Sequence, residues 1–186
     1  MTNRFIIIEG ADNTGKTTLG KFIANRWTSI LKHPAIYFHH NRTELLGRAM
    51  YDYMYSVIEN LLWCYENLGQ SIVLDRSWPS ELVYGTVIGP PERLVEFNHE
   101  RLRAMVARTR HIYVLSDCQS GMGRHIEDHD HSHSLYSPKE YLDIRAKYDE
   151  WAKSVQKSER LERYDMDKHG QAISTFCEYH LEGNYL

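Results

Sequence analysis

Cysteine is scarce: Cys64, Cys118 and Cys177 are the only three in 186 residues, and no pair has the C-x-x-C spacing. That argues against a disulfide framework or a thiolate zinc site and fits a reducing cytosol. Long apolar runs are also missing. The opening MTNRFIII is too short for a signal peptide, and no run approaches the roughly 20 apolar residues needed to cross a bilayer, so a cytoplasmic location is expected. There is no excess of basic charge. The 25 acidic and 22 basic residues give a net charge of -3, so nothing global marks a nucleic-acid binder and only a local basic groove would serve that role. Internal repeats and low-complexity linkers are absent as well. The expectation is one domain over residues 1–186, with an insertion at about 119–136.

The remaining composition, 42% hydrophobic and 25% charged, is that of an ordinary globular protein with enough chain to bury a core. RFIIIE (4–9) and SIVLDRS (71–77) read as buried strands, AIYFHH (35–40) and HIYVLSD (111–117) as two further strands, and RLERYDMD (160–167) as an edge strand. Helical spacing places helices over 16–31, from Thr43 to about Leu68, and over 90–110. Ser137, Pro138 and Glu140 supply a cap, a first-turn proline and a capping-box acid for a helix to about Lys157. GQAISTFCEYHLEG reads as a last helix. The 119–136 stretch has no apolar period and reads as a loop. Strands that alternate with helices imply an α/β three-layer sandwich, with a mainly parallel five-stranded sheet and helices on both faces. Ligands of such sheets bind beyond the carboxyl ends of the strands.

Two of those ends carry the clearest chemistry. GADNTGKTT (10–18) follows the first strand, opens a helix and satisfies G-x-x-x-x-G-K-[ST], the phosphate-binding loop. Gly10, Asn13, Thr14, Gly15, Lys16, Thr17 and Thr18 are expected to hold ATP. In that arrangement the loop amides cradle the phosphates, Lys16 reaches the β- and γ-phosphates and the Thr17 hydroxyl binds Mg²⁺. Asp75-Arg76-Ser77 closes the third strand, where the carboxylate can hold Mg²⁺ or orient the attacking group and the arginine can clamp a phosphate. Asn41-Arg42 stands at the end of the second strand.

FIIIEGADNTGKTT resembles the opening of thymidylate kinases. VLDRSWPSELVYG resembles their third-strand Asp-Arg motif, closest to the phage-type members. RHIED followed by YLDIRAKYDEW resembles the lid arginine and the helix that ends the lid. The resemblance runs in order through nearly the whole chain, with the first two stretches carrying its specificity. It implies the P-loop kinase fold with a mobile lid at 119–136, and transfer of the ATP γ-phosphate to a nucleotide-like acceptor. By that resemblance Asp12 lies near the acceptor sugar, Arg76 and Arg42 face the acceptor, Asp75 lies near Mg²⁺, and Arg124 swings in from the lid. Trp78 and Tyr84 are aromatic candidates for stacking on the acceptor base, whereas Tyr53 is assigned to core packing. Family members are often dimers, and the long second helix has apolar surface for a partner or for its own core. A phage-encoded chain would act in the host cytoplasm.

The chain also departs from the family. HHNRTE replaces the usual Arg-Glu-Pro after the second strand, and the lid carries Arg124 where the family has several arginines. Three functions follow from these residues. The first is a deoxynucleoside monophosphate kinase. The second is a phage-type kinase that phosphorylates the hydroxymethyl group of 5-hydroxymethyluracil in DNA, which needs a basic groove built from Arg42, Arg48, Arg76, Arg103, Arg108 and Arg110. The third is a nucleotide-binding switch or ATPase with no acceptor. The lid residues His125, His129, His131 and His133, interleaved with Glu127, Asp128 and Asp130, admit either a solvated loop or a metal site.

Overall fold

The computed structural model describes residues 3–32, 34–41, 44–118, 120, 136–170 and 172–182. Among these, β1 (Phe5–Glu9), β2 (Ala35–His39), β3 (Ser71–Asp75), β4 (His111–Asp117) and β5 (Leu161–Asp165) form one sheet in the order β2-β3-β1-β4-β5. Every pairing is parallel, where the sequence pointed to a mainly parallel sheet. The longer helices are α1 (Lys16–Leu31), α2 (Gly47–Asn67), α3 (Trp78–Val87), α4 (His99–Val106) and α5 (Pro138–Val155).

β1 shows why the sheet is covered on both faces. Its alternate residues point to opposite sides. Phe5 and Ile7 join Met50, Met54 and Ile58 of α2 in one core, and Ile6 and Ile8 join Leu19, Ile23 and Trp27 of α1 in another. All four β1 residues are fully buried, each contributing about 1.5–3 kcal/mol of hydrophobic stabilisation. A third core ties Tyr141, Ile144 and Tyr148 of α5 to Val83 of α3 and Leu115 of β4. Ser137 and Glu140 form the expected capping box at the start of α5. The apolar face of α2 is spent on its own domain, although Trp63 stays exposed.

Three helix expectations need correction. α2 starts at Gly47, and Glu44, Leu45 and Leu46 are not helical, with Leu45 and Leu46 exposed; Thr43 lies outside the described residues. Gly47 enters the helix at φ +50, where a Cβ would stand 2.6 Å from the Val95 carbonyl oxygen. The helix expected over 90–110 is split into a 3₁₀ turn (Pro91–Leu94) and α4. Glu96 at φ +60 interrupts it, and the Asn98 side chain caps the new start by accepting from the Arg101 amide at 3.1 Å. Local capping here overrides a continuous apolar period. Beyond β5 the chain forms a short helix α6 (Met166–His169), and the expected last helix begins only at Ile173, as α7 (Ile173–Phe176) continued without a break by a π-helical stretch (Cys177–Glu182). Asp165 ends the strand by capping α6, its side chain accepting from the Asp167 amide at 3.0 Å.

Parallel register sets the site. Ile8 of β1 stands opposite Asp75 of β3, and Asp75 stands opposite His39 of β2. The glycine loop after β1 and the ends of β2 and β3 therefore emerge side by side.

Candidate active site

The loop between β1 and α1 is held open by two glycines. Gly10 sits at φ +141, and a Cβ there would lie 2.1 Å from the Ser116 carbonyl oxygen. Gly15 sits at φ +82 as the cap of α1, with no side-chain cap bond. The first amides of α1 are therefore not taken up by a capping side chain, the arrangement by which a helix start attracts anions. Thr14 stiffens the loop from within: its hydroxyl donates to the Ala11 carbonyl at 2.9 Å, and its own carbonyl accepts from the Ser116 hydroxyl at 2.5 Å. The Lys16 ammonium donates to the Ala11 carbonyl and lies 3.3 Å from the Thr14 hydroxyl. Burial and the nearby Arg76 push this ammonium down to about 7, against the pull of Asp12, Asp75 and Glu9.

Asp75 is fully buried at the end of β3. Its Oδ2 accepts from the Thr17 hydroxyl at 2.8 Å and the Tyr37 hydroxyl at 2.7 Å, and pairs with His39 Nδ1 at 2.8 Å. Its Oδ1 is buried and has no hydrogen-bond partner among the described residues. A buried carboxylate oxygen left unpaired beside a threonine hydroxyl is an all-oxygen donor set of the kind that suits Mg²⁺. Thr17 and Asp75 thus fit the metal expected from the sequence. No cluster of three His, Cys, Asp or Glu side chains suited to a metal occurs among the described residues.

Arg76, at φ +68, is the hub of a second group of polar contacts. Its guanidinium donates to the Asp12 carboxylate, to the Gly10 carbonyl at 3.2 Å, to the Ser80 hydroxyl at 3.2 Å and to the Tyr84 hydroxyl at 3.3 Å. It also lies 5.0 Å from the centre of the Tyr84 ring. Burial works to raise the Asp12 carboxyl, but Arg76 and Lys16 outweigh it and hold the group below its ordinary value. Behind the hub, Glu9 accepts from the Ser77 amide at 2.8 Å and the Ser80 hydroxyl at 2.6 Å. Burial pushes the Glu9 carboxyl up to about 8, despite those bonds and the charge of Arg76.

A cavity of about 560 Å³ joins the phosphate loop to Arg76 and Tyr84; Asp75 and Glu9, both fully buried, are not among the residues that line it. From the expected set it takes Asp12, Asn13, Gly15, Lys16, Thr17, Thr18, Arg76 and Tyr84. Gly10 and Thr14 lie beneath it as the frame of the loop. Trp78 does not reach it: as the first residue of α3 it points back under the sheet, 2% exposed and edge-on to Tyr113 at 6.2 Å. Arg42, Arg124 and the lid histidines lie outside the described residues. Sequence reasoning missed His39, His40, Glu81, Arg93 and Tyr136, which also line the cavity. Signals for some of these were present: HH opens the HHNRTE stretch that departs from the thymidylate kinase pattern the sequence resembles, and Glu81 lies inside PSELVYG.

A wholly parallel sheet with a phosphate loop at the end of its central strand defines the class, the P-loop kinase fold. No protein-family model and no curated protein matches the chain, whereas solved structures do. YorR protein from Bacillus subtilis, in complex with phosphorylated GDP, aligns with a TM-score of 0.63 at 18% identity over 98% of this chain and 99% of that one. Thymidylate kinase from Candida albicans aligns at 0.59 and 11% over 95% and 92%. Deoxyadenosine kinase from M. mycoides, with products dCMP and dCDP bound, aligns at 0.58 and 11% over 97% and 99%. At such identities the likeness establishes the fold.

Proposed function

We propose that the protein is an ATP- and Mg²⁺-dependent phosphotransferase whose acceptor is a deoxynucleoside monophosphate. One observation carries this reading: a single cavity runs from Lys16 and Thr17 of the phosphate loop to Arg76, Tyr84 and Arg93. Its size is of the order of a small-molecule site, roughly 300–1,000 Å³. Phosphate-binding groups at one end and an aromatic, arginine-bearing wall at the other suit a donor and an acceptor held in line.

In the proposed reaction an oxygen of the acceptor phosphate attacks the γ-phosphorus of ATP, the bond to the β–γ bridging oxygen breaks, and ADP leaves. The loop amides and Lys16 hold the donor phosphates, Arg76 grips the acceptor phosphate, and Asp12 faces its sugar. Tyr84 offers its ring to the base. Thr17 and Asp75 would hold Mg²⁺, which supplies charge neutralisation at the β- and γ-phosphates.

The arginines required for a DNA groove favour the monophosphate over the polymer. Arg48 pairs with Asp52, Arg103 with Glu159 and Arg108 with Glu66. Arginines matched by acids add little of the phosphate-neutralising charge that nucleic-acid affinity depends on. The test follows ADP formation from ATP and Mg²⁺ alone, with each deoxynucleoside monophosphate, and with DNA containing 5-hydroxymethyluracil. ADP release stimulated by a monophosphate supports the proposal. Stimulation by DNA alone, or slow release indifferent to any acceptor, replaces it with the DNA kinase or the switch.

A further inference from the structure

Glu9 ends β1, is fully buried and is not among the residues that line the cavity. Both of its oxygens are nevertheless spent on the segment that carries Arg76. Oε1 accepts from the Ser77 amide, the peptide group that follows Arg76, at 2.8 Å. Oε2 accepts from the Ser80 hydroxyl at 2.6 Å. Ser80 Oγ in turn accepts from Arg76 Nη1 at 3.2 Å and lies 2.8 Å from the Tyr148 hydroxyl. One side chain of β1 thus holds Arg76 twice, once through the backbone next to it and once through its guanidinium.

Arg76 needs such a grip. Its φ of +68 lies in the left-handed region, which is strained for a residue with a side chain and persists only where the surroundings hold it. Its own amide donates to the Ile8 carbonyl at 2.9 Å, and the Ser77 carbonyl accepts from the Ser80 amide at 3.0 Å, so the turn is tied to β1 on one side and to α3 on the other. The guanidinium only donates. Nη1 finds its acceptors in the Gly10 carbonyl at 3.2 Å, the Ser80 hydroxyl and the Tyr148 hydroxyl at 3.4 Å. A hydroxyl turns to suit its neighbours, and Glu9 is the neighbour shared by both: the Tyr148 hydroxyl also lies 3.4 Å from Oε2. The link to Ser80 holds in either protonation state of Glu9. A charged carboxylate takes the serine hydrogen. A protonated one gives its own hydrogen to Ser80 Oγ, and the serine hydrogen turns to Tyr148. In both states one lone pair of Ser80 remains for Arg76.

We infer that Glu9 is a positioning residue for phosphate transfer, fixing Arg76 through the Ser77 amide and the Ser80 hydroxyl. The inference rests on the reading of Arg76 as the group that grips the acceptor phosphate, and it adds the residue that keeps that grip in register. Misplacing a substrate-holding group by about 1 Å can cost about 100-fold in rate, so a buried side chain that meets no substrate can still set the acceptor reaction.

The test compares Glu9→Leu, Glu9→Gln and Ser80→Ala with the wild type. Glutamine keeps a carbonyl for the Ser77 amide and an NH₂ for Ser80 Oγ, whereas leucine offers neither. In Glu9→Leu the KM for the deoxynucleoside monophosphate should rise about 10- to 100-fold while the KM for ATP stays within about twofold, and Glu9→Gln should bring the acceptor KM back to within about threefold of the wild type. A purely structural role would lower kcat through loss of active protein and leave both KM values in place. Ser80→Ala cuts the guanidinium arm alone, should raise the acceptor KM as well, and serves as the second variant where Leu impairs folding. A further readout needs no turnover. In spectra of nitrogen-labelled arginine, with the Arg76 signals assigned by their absence in Arg76→Lys, the Nη groups should be resolved in the wild type and in Glu9→Gln, and rotationally averaged in Glu9→Leu and Ser80→Ala. An acceptor KM that does not move in those two variants, equal rises in both KM values, or an unchanged Arg76 spectrum overturns the inference. A wild type that transfers no phosphate to any monophosphate, while its Arg76 signals still depend on Glu9, refutes the kinase reading and leaves the positioning standing.

Discussion

The Thr17 hydroxyl donates to Asp75 Oδ2 across 2.8 Å, joining the first turn of α1 to the end of β3. Two motifs 58 residues apart in sequence thereby become one oxygen-lined corner. Tyr37 and His39 converge on the same carboxylate oxygen and leave Oδ1 unpaired.

Asp75→Asn tests that corner. The amide removes the negative charge and sets its NH₂ among hydroxyl and imidazole donors. Turnover should fall about 100-fold or more, and the Mg²⁺ concentration for half-maximal rate should rise, because an oxygen ligand set loses its charge. A Mg²⁺ titration of kcat reads both. An unchanged Mg²⁺ dependence would remove Asp75 from the metal site.

Lys16 makes a prediction about protons. Its ammonium is pushed down to about 7 before any phosphate is bound, so at pH 8 most of it is neutral. Triphosphate oxygens favour the charged form and raise the value. Binding of ATP at pH 8 should therefore take up a fraction of a proton, seen as a calorimetric enthalpy that depends on the ionisation enthalpy of the buffer. In Lys16→Met the uptake should vanish and turnover should drop by about two to three orders of magnitude, the usual cost of losing a preorganised charge at a transition state. Proton uptake undiminished in that variant would assign it elsewhere.

Glu9 links stability to pH. Its carboxyl is raised from 4.5 to about 8 in the folded chain, so between those values the folded protein keeps a proton that the unfolded chain releases. The stability this brings is present below about 4.5 and is lost as pH rises toward 8. Lys16 acts in a different window: lowered from 10.5 to about 7, it makes stability rise with pH between 7 and 10.5. Asp12, Glu81 and Glu140 are lowered carboxyls, and their windows close near their ordinary values. Between pH 5 and 7 the Glu9 slope should dominate. Chemical denaturation across that range should show falling stability in the wild type and a flatter profile in Glu9→Gln. A wild-type profile that rises there would contradict the buried, proton-holding Glu9.

Arg76→Lys keeps the charge and loses the fork that reaches Asp12, Gly10, Ser80 and Tyr84. A lysine cannot reproduce bidentate phosphate recognition. The KM for the acceptor should rise about tenfold or more while the KM for ATP changes little. Equal losses for both substrates would move Arg76 to the donor side.

Much of this was legible in the sequence because it is local. FIIIE followed by GADNTGKTT carries strand, glycine turn and helix start in consecutive residues, and the Ser137–Glu140 capping box is written in four. What was not legible depended on register and on side chains meeting across elements. Trp78 stands beside Asp75-Arg76 in sequence but faces the core, because the first turn of α3 directs it under the sheet. His40, Glu81 and Arg93 lie on three separate segments, and only the fold shows that they share a carboxylate. The break at Glu96 and Asn98 was hidden by an apolar spacing that continues on either side of it.

The most direct measurement of the central claim is the fate of label from γ-labelled ATP, offered with Mg²⁺ to a mixture of deoxynucleoside monophosphates and DNA containing 5-hydroxymethyluracil. The expected result is label in a deoxynucleoside diphosphate, lost in Lys16→Met. Label in the DNA with the monophosphates untouched, or in inorganic phosphate alone, would contradict it.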